Sequence, residues 1–485
     1  MKLFYLFFIL LPLQAFSQLG LIWTDTIVAN KDLAFGNTRP RIVLANNDVP
    51  VISWGKATNQ GVYASRLNGS AFGSAIKLTP NNMTAFVYDW AGPEMGSSGD
   101  TLFVAFKAQP ENTGMIYLVR SINGGNSFSD TLRVSNDNWS RFPAVAVEKG
   151  GNPVVTFMKF DPNFIDGRYT VSTSGDGGDT FNNDVEASTM APGEVCDCCP
   201  AFIGVEQDYI FTLYRNNDNN LRDIWASVST NGGTSFDVSA DIDNSNWTIG
   251  GCPSTGPDAI LANDSLIAVW TSGATGSSRV YLGVMDKNTL NIGQNSILTP
   301  NVASTANQNY PKIAGNADTL GIVWQESHLG RTIVKFIYSV TGTTGLHNQE
   351  PDTVSVNLSG HQKNPDIEFS NGTFYFTWQD DNRKEVVYRS ATLGILNGIN
   401  KPEITTKYTV YPNPANSRIN IDFTNGFHLN KVRVTLFDYT GRIVFEKNIN
   451  TKNEIISTEQ FSEGLYVLII ENENEIYHEK IILKR

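Results

Sequence analysis

The feature that most constrains this chain is a proline that returns seven times. Pro40, Pro93, Pro143, Pro200, Pro257, Pro311 and Pro365 stand about 50 to 57 residues apart, the interval expected of modules copied around a wheel. Each opens an apolar run. Some 13 or 14 residues later each module carries a large aromatic that closes a second strand: Trp54, Phe106, Phe157, Tyr214, Trp270, Trp324 and Trp378. A constant offset between a strand-opening proline and a strand-closing aromatic marks a repeated packing unit, and the aromatics read as core. The expectation is an all-β chain whose main part, residues 18–398, is a seven-bladed β-propeller. An open wheel would leave an unpaired strand edge. Residues Trp23 to Ala29 read as a strand, whereas no full fourth strand follows Ser390, so the N-terminal strand is expected to complete the last blade.

Composition agrees with many short strands and glycine-rich turns. The net charge of −12 and the lack of a basic run interleaved with aromatics exclude non-specific nucleic-acid binding, which needs clustered Lys and Arg. Residues 1–17 read as a signal peptide: one positive charge at Lys2, an apolar stretch from Leu3 to Leu13, then Ala15-Phe16-Ser17 before a cleavage point at Gln18. No cysteine follows the apolar stretch to take a lipid, and no later segment is apolar for long enough to be a transmembrane helix.

A third landmark lies in the hairpins. Ser174-x-Asp176-x-Gly178-x-Thr180-Phe181 recurs as Ser121-x-Asn123-x-Gly125-x-Ser127-Phe128 and Ser229-x-Asn231-x-Gly233-x-Ser235-Phe236, with a decayed copy at Ser65 to Phe72. A short acceptor side chain bonds turn N–H groups, glycine supplies positive φ, and the aromatic packs beneath. Asp176, Asn123 and Asn231 are therefore expected to be structural. Here the chain resembles the sialidase-like superfamily of BNR, or Asp-box, repeat propellers, over roughly residues 20 to 395. Six blades, the number in sialidases, is the alternative.

Beyond a polar link at 399–407 the pattern changes. Tyr411-Pro412-Asn413-Pro414-Ala415, alternating Ile419, Ile421 and Phe423, then Thr440-Gly441-Arg442, Gly464-Leu465-Tyr466-Val467 and a closing Lys480 to Arg485 imply a small antiparallel β-sandwich at 408–485. These motifs resemble the type A C-terminal sorting domain of the type IX secretion system. The resemblance implies that the type IX machinery is a partner, and that the chain is secreted or held at the outer-membrane surface.

Sialidases act through arginines on a substrate carboxylate, a tyrosine nucleophile with a glutamate base, and an aspartate acid. Guanidinium forks match carboxylates, and a phenol needs a base to attack. Ligand-binding candidates are Arg39 and Arg141, near the prolines of modules one and three, and Arg215 and Arg222, which flank a polar loop. Tyr310 and Glu326 are the candidate nucleophile and base, and Asp89 and Glu94 are further acids. No phosphate-binding loop or Gly-x-Ser-x-Gly elbow is present.

Cys196-Asp197-Cys198-Cys199 immediately precedes Pro200, and Cys252 lies shortly before Pro257. Equal register places both clusters where neighbouring modules begin. Outside the cytoplasm, two disulfides joining modules four and five are expected, with a thiolate-bound zinc or copper ion as the alternative. No other cofactor is implied. The functional expectation is a monomeric exported propeller that recognises glycans or glycoconjugates at its channel mouth. Exo-sialidase-like hydrolysis and a protein-binding scaffold are the alternatives.

Overall fold

The computed structural model describes residues 18–56, 61–135, 139–346, 349–357, 360–396, 408–423, 429, 432–438, 442–472 and 476–484. The expected signal peptide, 1–17, and the expected link, 399–407, lie outside the described residues. The chain divides into a compact unit spanning Leu21–Gly394 and a second one that contains Ile395–Arg485.

The larger unit is a β-propeller built from antiparallel sheets of four or five strands, seven of them among the described residues. Their innermost strands are Asn37–Ala45, Glu94–Ser98, Ser140–Val147, Phe202–Glu206, Asp258–Ala262, Asn307–Gly315 and Gln362–Ser370. Each packs beside the next, and that of the seventh sheet packs beside that of the first. Every landmark proline lies within its inner strand or shortly before it. The landmark aromatics sit on the second strands, packed between sheets; Trp54, Trp270 and Trp324 are fully buried. The last sheet is completed from the N-terminus: Ile27–Lys31 pairs with Glu385–Leu396, as does Gln18–Trp23. The joining strand is thus in two pieces, interrupted near Thr24, where a single run was expected.

The prolines have a specific local effect. A proline has no N–H to give the ladder, and it restricts the residue before it. The ladder slips at Thr38/Arg41, Arg141/Ala144, Asn309/Lys312 and Lys363/Asp366. Each slip holds a residue and its following proline, and the residue takes a left-handed backbone: Arg39 (φ 51°), Phe142 (φ 48°), Tyr310 (φ 51°) and Asn364 (φ 48°). Four non-glycine residues in this conformation, all at one place in the repeat, are bulges that re-aim side chains.

Two sheets enlarge the same bulge. In the fourth, Val195 pairs with Asn216 and Phe202 with Leu213, so the whole cysteine loop stands opposite Tyr214 and Arg215. In the second, Ala85 pairs with Ala108 and Glu94 with Ala105, so the segment with Tyr88, Asp89 and Trp90 stands opposite Phe106 and Lys107.

The hairpin boxes form as their residue types require. Asp176 accepts from Thr180 N (2.9 Å), and Ser174 Oγ accepts from Gly178 N (2.8 Å). Asn123 and Asn231 accept equivalently from Ser127 N and Ser235 N, and their amides donate to the Ser127 and Ser235 hydroxyls. Each of the three side chains thus bonds within its own hairpin.

The C-terminal unit has sheets ordered Tyr408–Tyr411, Arg418–Phe423, Asn453–Ser457 and Ile443–Ile449, Val432–Asp438, Gly464–Glu471, Ile476–Leu483. Its core, including Ile419, Ile421, Val434, Leu436, Leu468 and Ile481, is its own.

Candidate functional site at the channel

Seven inner strands side by side leave a central cavity of about 270 Å³. The residue following each landmark proline lines it: Arg41, Glu94, Ala144, Ala201, Asp258, Lys312 and Asp366. Five of these seven can carry charge, in a place remote from bulk water, so each must find a partner. Glu94 receives both arginines of the first sheet. Arg39 reaches Oε1 through Nε (3.0 Å), and Arg41 reaches Oε2 through Nε (2.7 Å). Burial alone would raise the Glu94 carboxyl, but the charges of Arg41 and Arg39 outweigh it and hold it far below the carboxylate range. Lys312 pairs with Asp258 (3.2 Å). Burial pushes Asp258 to about 6 against the pull of Lys312, and pushes Glu368 on the same wall to about 8, with Asp366 and Asp258 adding repulsion.

The carboxylates also mend the bulges. Where the ladder slips, an N–H loses its partner and must be satisfied. Asp366 accepts from Ile42 N (2.9 Å) in the next sheet round, and Asp258 accepts from Ile313 N (2.8 Å) in the next sheet after its own. The residue following the landmark tryptophan does the same for the left-handed residue. Gln379 accepts from Arg39 N (2.7 Å), and Gln325 accepts from Asn364 N (3.0 Å).

Gln379 opens the outer part of the site. Its Oε1 also accepts from Thr38 and from Asn364, while its amide donates to Asp89 (3.2 Å) and Asp381 (2.8 Å). Lys363 bridges the same two carboxylates, at 3.0 and 2.6 Å. Asp89 is flanked by Tyr88 and Trp90, whose rings stack with centroids 5.2 Å apart and an interplanar angle of 8°. Trp90 leans on Phe142 of the third sheet, and Tyr88 remains 42% exposed. An aromatic platform thus stands beside a paired set of carboxylates, an amide and an ammonium.

The residues expected to bind or react are dispersed. Arg39 lies with Tyr310 and the prolines 200, 257, 311 and 365 around a small cavity next to the channel. Tyr310 is raised to about 12, by burial above all, with Arg39 offsetting part of the effect. Glu326 accepts from Gln308 (3.0 Å) and lines a different cavity with Lys335 and Glu350. Tyr310 and Glu326 are therefore not brought together, because the bulge turns Tyr310 off the alternation that Glu326 keeps. Arg141 pairs with Glu111 and covers Phe160 and Phe164. Arg215 is fully buried and spends its donors on the carbonyls of Thr255, Arg222 and Thr271. Arg222 donates to Ile249 O and to Cys196 Sγ (3.0 Å). The wall residues Asp258, Lys312, Asp366 and Glu368, and the hub Gln379, were missed by motif reading. For Asp258, Lys312 and Asp366 the position one beyond a landmark proline was the available signal, and for Gln379 the position after the landmark tryptophan.

The cysteines gather as the repeat register requires. Cys198 and Cys252 form a disulfide, with Cα atoms 6.3 Å apart, tying the enlarged bulge of the fourth sheet to the segment leading into the fifth. Two bridges were expected, and one is formed: Cys196 and Cys199 are buried free thiols. All four sulfurs lie within 4.8 Å of one another, an arrangement into which a soft metal ion also fits.

Residues 409–484 match the family model described as Secretion system C-terminal sorting domain. The match indicates type IX secretion, to the cell surface or beyond it. No helix among the described residues is long and apolar enough to cross a membrane. No curated protein sequence matches the chain. Among solved structures, a PL25 ulvan lyase is similar at 12% identity, with a TM-score of 0.48, over 76% of this chain and 96% of that one. Trypanosoma rangeli sialidase is similar at 11% identity and 0.46, over 95% and 89%. Penicillium chrysogenum α-L-arabinanase is similar at 11% and 0.43, over 77% and 98%.

Proposed function

We propose that this exported propeller recognises a glycan at the channel mouth, on the Tyr88–Trp90 platform. One observation carries the reading: the stacked, partly exposed aromatic pair flanks Asp89 in the chain, and Asp89 is itself held by Lys363, Gln379 and Thr38. A sugar ring has apolar C–H faces and a rim of hydroxyls. Aromatic rings suit the faces, and fixed carboxylates, amides and ammonium groups both accept from and donate to the rim. Pre-ordered polar groups lower the ordering cost of binding.

Sialidase-like hydrolysis has less support. Arg39 and Arg41 are committed to Glu94, and Arg215 to main-chain carbonyls, so these three guanidinium forks are not free for a substrate carboxylate. Tyr310 keeps its proton at neutral pH; Glu94, which lines the same small cavity, is committed to Arg39 and Arg41, and Glu326 lines a different one.

The test is a glycan array on the mature protein, followed by calorimetry on the best ligand. Tyr88→Ala or Asp89→Asn is expected to weaken binding at least about tenfold, equivalent to about 1.4 kcal/mol, with the fold intact by circular dichroism. Binding that survives both substitutions, or an array with no bound glycan, refutes the reading.

A further inference from the structure

The four sulfurs are more than a staple. The bridge Cys198–Cys252 reaches the surface at Cys252, whereas Cys196 and Cys199 are buried behind it. Cys196 Sγ lies 3.5 Å from Cys198 Sγ and 2.8 Å from Cys199 Sγ. A reduced pair thus stands in contact with an oxidised one, with a guanidinium on the nearer thiol: Arg222 Nη1 donates to Cys196 Sγ at 3.0 Å. Thiol–disulfide exchange needs a thiolate beside a disulfide sulfur and an accessible leaving thiol.

We propose that these four cysteines form a thiol–disulfide exchange centre, in which the buried Cys196/Cys199 pair takes over the bridge and releases Cys198 and Cys252 as an outward-facing dithiol. The steps balance without an external oxidant or reductant. The Cys196 thiolate attacks Cys198 Sγ; the Cys196–Cys198 bond forms, the Cys198–Cys252 bond breaks, and the electron pair leaves on Cys252, which takes a proton from water. Cys199 then attacks Cys196. The Cys196–Cys199 bond forms, Cys198 leaves as thiolate, and the proton shed by Cys199 passes to it. One disulfide and two thiols stand at the beginning and at the end. Only their location changes, from a thiol pair that solvent cannot reach to one that an external disulfide can.

The surroundings favour the first step. The groups acting on Cys196 are Cys199, Arg215, Arg222 and the backbone of Cys198, and the Tyr169 hydroxyl donates to the Cys199 carbonyl (2.6 Å). Burial would raise Cys196, but the hydrogen bond with Cys199 and the charges of Arg215 and Arg222 bring it down to about 7. Cys199 is driven the other way by its burial, so Cys196 is the nucleophile and Cys199 the resolving thiol.

The experiment labels the native full chain with iodoacetamide across pH 6 to 9 (roughly one unit either side of the thiol range), quenches in acid, and maps labels and bridges by peptide mass spectrometry. The expected result is label on Cys252 and Cys198 and a bridge at Cys196–Cys199, with a rate that rises through about pH 7. Cys196→Ser abolishes label on Cys252. Cys199→Ser keeps it, trapping Cys196–Cys198, which separates loss of exchange from loss of fold. Arg222→Gln slows labelling about tenfold at pH 7, one unit of thiol pKa, and the rate recovers at pH 9. A Cys198–Cys252 bridge that persists with no label on Cys252 overturns the proposal. Two closed bridges overturn it as well, as do four thiolates holding stoichiometric zinc or copper.

Discussion

At the scale of the residue, Glu94 does the work of two counter-ions. Arg39 and Arg41 are each about 5% exposed at the side chain, and Glu94 is the carboxylate both share. Removing one member of a buried ion pair leaves charge without solvent or partner, which costs about 3–5 kcal/mol. Glu94→Gln is expected to lower stability by about that amount, read from the urea midpoint at pH 7. The pH dependence has a definite sign. The Glu94 carboxyl is held below its ordinary value in the fold, so its contribution is complete above the unfolded carboxyl range and is lost as pH falls through the lower folded value. The variant should therefore differ most from the parent at neutral pH, and the gap should close in strong acid. A gap that widens on acidification contradicts this assignment.

At the scale of the element, the bulge explains both what the sequence discloses and what it conceals. Prolines, aromatics and hairpin boxes are local signals: each residue type answers to the backbone beside it, so the strands, their order and the boxes are legible directly. The polar partners are not local. Asp89 and Lys363 are 274 residues apart, and Arg39 and Gln379 are 340. No periodicity links them until the last sheet meets the first. Tyr310 and Glu326 were paired as candidate nucleophile and base, and they line different cavities, with the Tyr310 bulge between them in the ladder. Cross-sheet capping of the bulge is itself testable. Gln379→Ala leaves the Arg39 N–H buried without an acceptor, which costs about 1–3 kcal/mol. Gln325→Ala should do the same through Asn364, and because Gln379 also accepts from Asn364 the two substitutions share a partner and should not add. A double variant whose loss equals the sum of the two single ones argues against a shared network.

At the scale of the whole molecule, the propeller depends on its first described residues. Glu385–Leu396 is twelve residues long, and without Gln18–Trp23 and Ile27–Lys31 its outer edge has no partner. The joint is more than a ladder. Arg389 donates to Thr24 O (2.8 Å) and lies over the Trp23 ring, Trp23 stacks on Phe376 (5.5 Å), and Lys31 pairs with Glu385 (2.9 Å). A long bare edge is a template for another chain, so a protein that begins at Asp32 should self-associate by sedimentation and melt at a lower temperature. The opposite truncation, ending at Leu396, removes a unit with its own core and should leave the melting of the propeller where it was. Equal melting and equal sedimentation of the Asp32 truncation and the parent mean that the wheel closes without its N-terminal strand. The contacts of Trp23 and Lys31 would then be ornaments of the last sheet, and the edge of Glu385–Leu396 would be protected by its own twist.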